Sequence, residues 1–166
     1  AMGESHVDVL VYNVGIHGTL VSAAAKLRWF VDKISLPMMN GVFESAEASV
    51  GGTSRTKTVY VTTPTQHYNT SDGQWQWHNM TSPHSKHCLA RVANNPRSDL
   101  EMSILQPVDP SGGGNVDAVV EYDDLDLGSL HMRHTDCSHY CLPGVPDVVA
   151  ARLLRTSLSA TSVPMS

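Results

Sequence analysis

The run Val7-Asp8-Val9-Leu10-Val11-Tyr12, halted at Asn13-Val14-Gly15, most restricts what this chain can become. β-Branched and apolar side chains followed by a loop signal read as a buried strand. Leu20, Ala23, Ala24, Leu27, Phe30, Val31 and Ile34 then recur at helical spacing, predicting an amphipathic helix over 19–34 that Pro37 and Asn40-Gly41 end. A second strand is predicted at Thr58-Val59-Tyr60-Val61-Thr62-Thr63, stopped by Pro64. Strand, helix, strand in that order implies a parallel α/β unit. Val116 to Tyr122 reads as a third strand. Pro146 opens a last helix carrying Val148, Val149, Leu153 and Leu154.

Two regions resist such a reading. Residues 44–57 are small and polar, as in a surface loop. Residues 65–100 are rich in His, Trp, Asn and Ser with little periodicity, and so long an irregular stretch in a compact domain points to function. A flexible turn is expected around Ser111-Gly112-Gly113-Gly114, and the acids between Asp117 and Asp126 read as a solvated face.

The length of 166 residues suits a single domain, 1–166, with its core over 7–156. A formal net charge of −5 and a pI near 5.9 argue against nucleic acid as a partner, since phosphate binding needs a basic face. No apolar stretch approaches the length of a membrane span. The Ala1-Met2-Gly3 start has the look of a truncated or engineered beginning. Asn69-Thr70-Ser71 and Asn79-Met80-Thr81 are glycosylation triplets compatible with the secretory pathway. Cys88, Cys137 and Cys141 make an odd count: in an oxidising compartment one pair forms and one thiol needs a partner elsewhere. Their number and spacing leave the pairing open.

The chemistry concentrates in Thr135-Asp136-Cys137-Ser138-His139-Tyr140-Cys141-Leu142-Pro143-Gly144-Val145-Pro146-Asp147. A carboxylate can hold one imidazole nitrogen and set the tautomer while the other nitrogen faces a nucleophile, so Asp136 and His139 are candidates for orienter and base. Set three residues apart before Pro-Gly-x-Pro, they are expected in one turn that sets their geometry locally. Asn13 and Gly15 stand where strand-end residues of an open α/β sheet meet ligands: an Asn amide can donate to an oxyanion, and Gly admits close backbone approach. Thr62-Thr63-Pro64-Thr65-Gln66-His67-Tyr68 is a second strand end, followed by Gly73-Gln74-Trp75 and Cys88. His67, His78 and His84 with Trp75 and Trp77 are candidates for a carbohydrate groove, where aromatic faces stack on sugar rings.

Three blocks in this order, Asn-x-Gly-x-His, Thr-x-Pro-x-x-His-Tyr with Gly-x-Trp and Cys, and Asp-Cys-x-His-Tyr-Cys-Leu-Pro-Gly-x-Pro-Asp, resemble the trichome birefringence-like (PC-esterase) group of the SGNH/GDSL superfamily. About a dozen consecutive positions of the last block match, with Tyr140 where the family usually has Trp. The blocks span Val7 to about Leu154. The resemblance implies a three-layer α/β sandwich with a parallel sheet, and transfer of an acetyl group to or from a sugar hydroxyl through an acyl-serine intermediate. It assigns Asp136 as orienter, His139 as base and Asn13 to the oxyanion site, and needs no cofactor or metal. The implied partners are a polysaccharide or other sugar acceptor and an acetyl donor. The implied location is the Golgi lumen, anchored upstream, or secretion.

The resemblance further implies a Cys88–Cys137 disulfide, with Cys141 paired upstream. The family's Gly-Asp-Ser nucleophile block precedes the segment matching Val7 and occurs nowhere in these residues. The expectation is therefore the later part of an SGNH-type domain whose nucleophile comes from a missing N-terminal segment of the same protein. Two alternatives compete: a non-catalytic carbohydrate-binding or interaction domain that has lost the nucleophile, and a zinc domain using His84, His87, Cys88, His131, His134 and Cys137.

Overall fold

A computed structural model describes residues 7–15, 18–40, 56–68, 88, 95–106, 114–122, 131–133, 136–140 and 142–161; at 131–133, 136 and 158–161 the description is of the backbone. Strands β1 (Val9–Tyr12), β2 (Lys57–Val61) and β3 (Ala118–Val120) form a parallel sheet in the order β1-β2-β3. Val11 pairs with Val59, and Val59 with Ala118. The chain is thus an α/β protein with a small open parallel sheet, and its three expected strands are present in shortened form.

β2 is central and buried on both faces because its side chains alternate between two clusters. Tyr60 joins Leu27, Phe30, Val31, Ile104, Leu105 and Val116 on one face. Val59 and Val61 join Val120, Val145 and Val149 on the other. The first cluster is built by helices α1 (Leu20–Phe30) and α3 (Pro96–Leu105), the second by α4 (Val145–Thr161).

α1 begins where Thr19 caps it: its Oγ1 accepts from the Ser22 N–H at 3.2 Å. Ala23, Leu27 and Phe30 are its buried residues, the stripe the spacing predicts. Pro37 does not end this helical path. A π-helical turn, Val31–Ser35, carries it into α2 (Leu36–Met39), with the Leu36 N–H bonded to the Val31 carbonyl. Proline cannot donate to the carbonyl four residues back and its ring collides with it; widening the preceding turn by one residue shifts that register and lets the path continue to Asn40.

Gly18 sets the entry to α1. Its φ is +100°, and a Cβ added there would stand 2.7 Å from Ser22 Oγ. Gly18→Ala combines left-handed backbone with that collision, so it is expected to destabilise the fold by about 1–2 kcal/mol, read from the urea midpoint.

α3 begins inside the stretch expected to be irregular, 65–100, and runs beyond it to Leu105. Asn95 caps it by accepting from the Ser98 N–H at 3.2 Å, and Pro96 stands in its first turn. Its buried positions, Arg97, Ser98, Glu101, Ile104 and Leu105, do follow helical spacing. Three of those five are polar, which hides the stripe from a search for apolar periodicity. Asp117 is likewise more than a solvated acid: its carboxylate accepts from the Thr58 N–H at 2.7 Å and the Thr58 hydroxyl at 3.1 Å, bracing β2 against β3.

Candidate functional site

The carboxyl ends of β1 and β2 run into loops that are joined by hydrogen bonds. Gly15 takes φ +74° so that the chain can turn back, and its N–H donates to Asn13 Oδ1 at 2.6 Å. Asn13 Nδ2 donates to the Val61 carbonyl at 2.7 Å and points its second N–H at Thr63 Oγ1, 3.5 Å away. The side chain expected to serve an oxyanion therefore spends its better donor stapling the end of β1 to the end of β2. Its weaker donor, at the limit of hydrogen-bond length, is the one a ligand could recruit.

After β2, Thr62, Thr63, Thr65, Gln66, His67 and Tyr68 are all buried, an unusual property for a segment without regular structure. Backbone polar groups so placed need partners. The second sheet supplies several of them, an antiparallel pair of β4 (His131–Arg133) and β5 (Asp136–Tyr140) in which His131 faces Tyr140 and Arg133 faces Asp136. The His67 N–H donates to the Cys137 carbonyl at 2.9 Å. Gln66 Nε2 donates to Ser138 Oγ at 2.9 Å, and the Tyr68 hydroxyl shares a 3.1 Å bond with the same oxygen. The Tyr140 hydroxyl donates to the Thr65 carbonyl at 3.1 Å and lies 3.3 Å from His67 Nε2. A Cys88–Cys137 disulfide closes the same contact, the pairing that the family resemblance implies.

These contacts correct two expectations. The Asp-x-x-His segment is extended strand rather than a turn. Three residues of strand separate the Cα atoms of Asp136 and His139 by about 10 Å, so no local turn brings the two groups together. The Asp136 side chain lies outside the described residues. His67, expected in a sugar groove, has no exposed surface; its ring is packed edge-on to Tyr140 at 6.3 Å between centroids and helps hold β5.

His139 behaves differently. Between buried Ser138 and half-buried Tyr140, its side chain is exposed to solvent. Anchored neighbours and an exposed imidazole are what a presented base requires. Trp75, His17, Cys141, His78, Trp77 and both glycosylation triplets lie outside the described residues, as do His84, His87 and His134 of the zinc alternative. That alternative also loses two thiolates, since the sulfurs of Cys88 and Cys137 are bonded to one another. Among the described residues no three His, Cys, Asp or Glu side chains gather to hold a metal, and no helix is long and apolar enough to cross a membrane.

The chain matches no family model, no curated protein and no solved structure. The site must therefore be read from its own residues.

Glu101 of α3 is the residue that motif reading missed. It is 1% exposed, and its carboxylate accepts from the Thr63 N–H at 2.8 Å and from the Thr63 hydroxyl. The Tyr60 hydroxyl, which accepts from the Val14 N–H at 3.4 Å, lies close enough to Glu101 to favour its charged form. Burial raises the Glu101 pKa above the ordinary carboxylate value; the bonds from Thr63, the Tyr60 hydroxyl and the charge of Arg97 oppose the rise without cancelling it. Burial, reinforced by the neighbouring Glu101 charge, pushes Tyr60 up as well.

The sign of the linkage follows. The folded chain holds the Glu101 proton more tightly than the unfolded chain, so this stabilisation is complete below the unfolded pKa and is lost as pH rises through the folded one. Wild-type stability is expected to fall relative to Glu101→Gln across that window, with a slope of at most about 1.4 kcal/mol per pH unit. Urea midpoints of both proteins between pH 4 and 8 check it; a constant difference between the two curves contradicts the assignment.

Proposed function

We propose that this chain is the later part of an SGNH-type polysaccharide O-acetyltransferase or acetylesterase domain. The observation that carries the reading is the exposed His139 on a strand bonded to the loop after β2. That places an accessible imidazole near the carboxyl end of a parallel sheet, where open α/β proteins gather their ligands. Helices on both faces of the sheet are compatible with a three-layer SGNH arrangement. The Cys88–Cys137 disulfide supports an oxidising compartment such as the Golgi lumen or the exterior.

In the proposed reaction a serine hydroxyl contributed by another segment attacks an acetyl ester. His139 takes its proton and returns it to the leaving oxygen; the extended strand keeps Asp136 from orienting that ring through a local turn, so Asp136→Ala tests separately the role the resemblance gives it. The acetyl-serine is then resolved by a sugar hydroxyl, completing transfer, or by water, completing hydrolysis; His139 takes the proton from the second acceptor and serine is regenerated.

Acetyl-ester hydrolysis by the full-length protein tests this reading. Activity lost on either His139→Ala or Asp136→Ala supports it. Activity that survives both substitutions removes these residues from the mechanism, and a full-length protein that binds sugar without ester turnover favours a non-catalytic carbohydrate-binding domain.

A further inference from the structure

Arg97 and Glu101 are both buried and stand one helical turn apart on α3, so they share a face. They reach in different directions. Arg97 Nη1 donates to the Gly15 carbonyl at 3.2 Å and Nη2 to the Gly18 carbonyl at 2.7 Å, holding the loop between β1 and α1. Glu101 holds the loop after β2 through the amide and hydroxyl of Thr63. Asn95, at the start of the same helix, adds a bond to Thr65 Oγ1 at 3.1 Å.

A buried guanidinium and a buried carboxylate are costly to desolvate, and here much of their bonding capacity is directed at backbone groups of two loops distant in sequence. Packing alone needs no such arrangement; apolar side chains of similar volume would fill the space. What the polar pair provides is direction. Charge-assisted bonds to carbonyls and an amide set the distance and register between two loops, which apolar contact leaves free to slide.

We infer that Arg97 and Glu101 are positioning residues: one turn of α3 clamps the two strand-end loops, and through the second loop sets where β5 presents His139. The consequence for catalysis rests on the acetyl-transfer reading above, whereas the clamp itself does not.

The test compares Arg97→Met, Arg97→Lys, Glu101→Ala and Glu101→Gln in the full-length protein, by residue-resolved amide hydrogen exchange and by acetyl-ester kinetics. Glu101→Ala is expected to speed exchange at Thr63 at least tenfold, and Arg97→Met to do so at Gly15, with Leu27 and Val59 unchanged in both. Glu101→Gln restores slow exchange, because its carboxamide still accepts from the Thr63 N–H and can donate to the Thr63 hydroxyl. Arg97→Lys rescues only in part, since one ammonium replaces a two-nitrogen fork.

In the same variants kcat falls about tenfold while KM moves less than threefold, and the Gln variant recovers kcat. Exchange that rises uniformly across the domain, or a Gln variant as impaired as the Ala variant, overturns the clamp. Should Glu101→Ala not fold, Thr63→Val supplies the comparison: it deletes one of the two bonds and must speed exchange locally, or the inference fails. A wild-type protein without esterase activity sinks the acetyl-transfer reading alone, and exchange still decides the clamp.

Discussion

Breaking the Cys88–Cys137 disulfide is expected to lower the stability of the folded chain by about 2–4 kcal/mol. The bond joins residues 49 apart in sequence, and a loop of that size confines the unfolded chain substantially. The cost is more than entropic in character. Cys137 has no exposed surface and sits in β5 directly before Ser138, whose hydroxyl meets both Gln66 and Tyr68. Releasing Cys137 frees one anchor of a strand that, among the described residues, pairs only with β4, and two-stranded pairs have little stability of their own. Urea unfolding with and without reductant measures the effect. Wild-type should lose stability on reduction, and Cys88→Ser should start lower and be insensitive to reductant. A wild-type midpoint indifferent to reductant contradicts the expectation.

The second large effect concerns chemistry. His139→Ala in the full-length protein is expected to reduce acetyl-ester hydrolysis about 10³-fold or more, chiefly in kcat, because a general base acts on a proton that moves only in the transition state. Since His139 is exposed, removing its ring opens no cavity, and the stability cost should be that of a surface contact, about 1 kcal/mol or less. This separation gives the experiment its force. Substitution of His67, which is buried against Tyr140, would confound activity with folding, whereas His139→Ala does not. Unchanged kcat in a well-folded His139→Ala protein would remove the base from the proposed mechanism.

How far the molecule was legible beforehand depended on which side chains fill its interior. β1 and β2 were readable because Val, Leu and Tyr crowd them, and α1 because Ala23, Leu27 and Phe30 keep helical spacing in apolar side chains. α3 obeys the same spacing with Arg97, Ser98 and Glu101 at buried positions, so hydrophobic periodicity passes over it. Its start was nonetheless written in Asn95-Pro96, a cap followed by a first-turn proline. In β5 the sequence Asp-Cys-Ser-His-Tyr has no alternation of apolar and polar residues to announce a strand. Its extension is supported by pairing with β4 and by bonds to the loop after β2.

The sequence by itself determined the parallel α/β frame, the helix between the first two strands, the final helix and the motif in which His139 lies. Those are consequences of local propensity and of apolar surface that must leave water wherever it stands in the chain. Tertiary structure decided the partners: that Asn13 staples two strand ends, that His67 is sealed while His139 is presented, and that Arg97 and Glu101 reach separate loops. Burial requires only that an apolar group be covered, but a hydrogen bond needs a donor and an acceptor within about 3 Å and in line. That condition is met through space, between residues whose separation along the chain carries no trace of it.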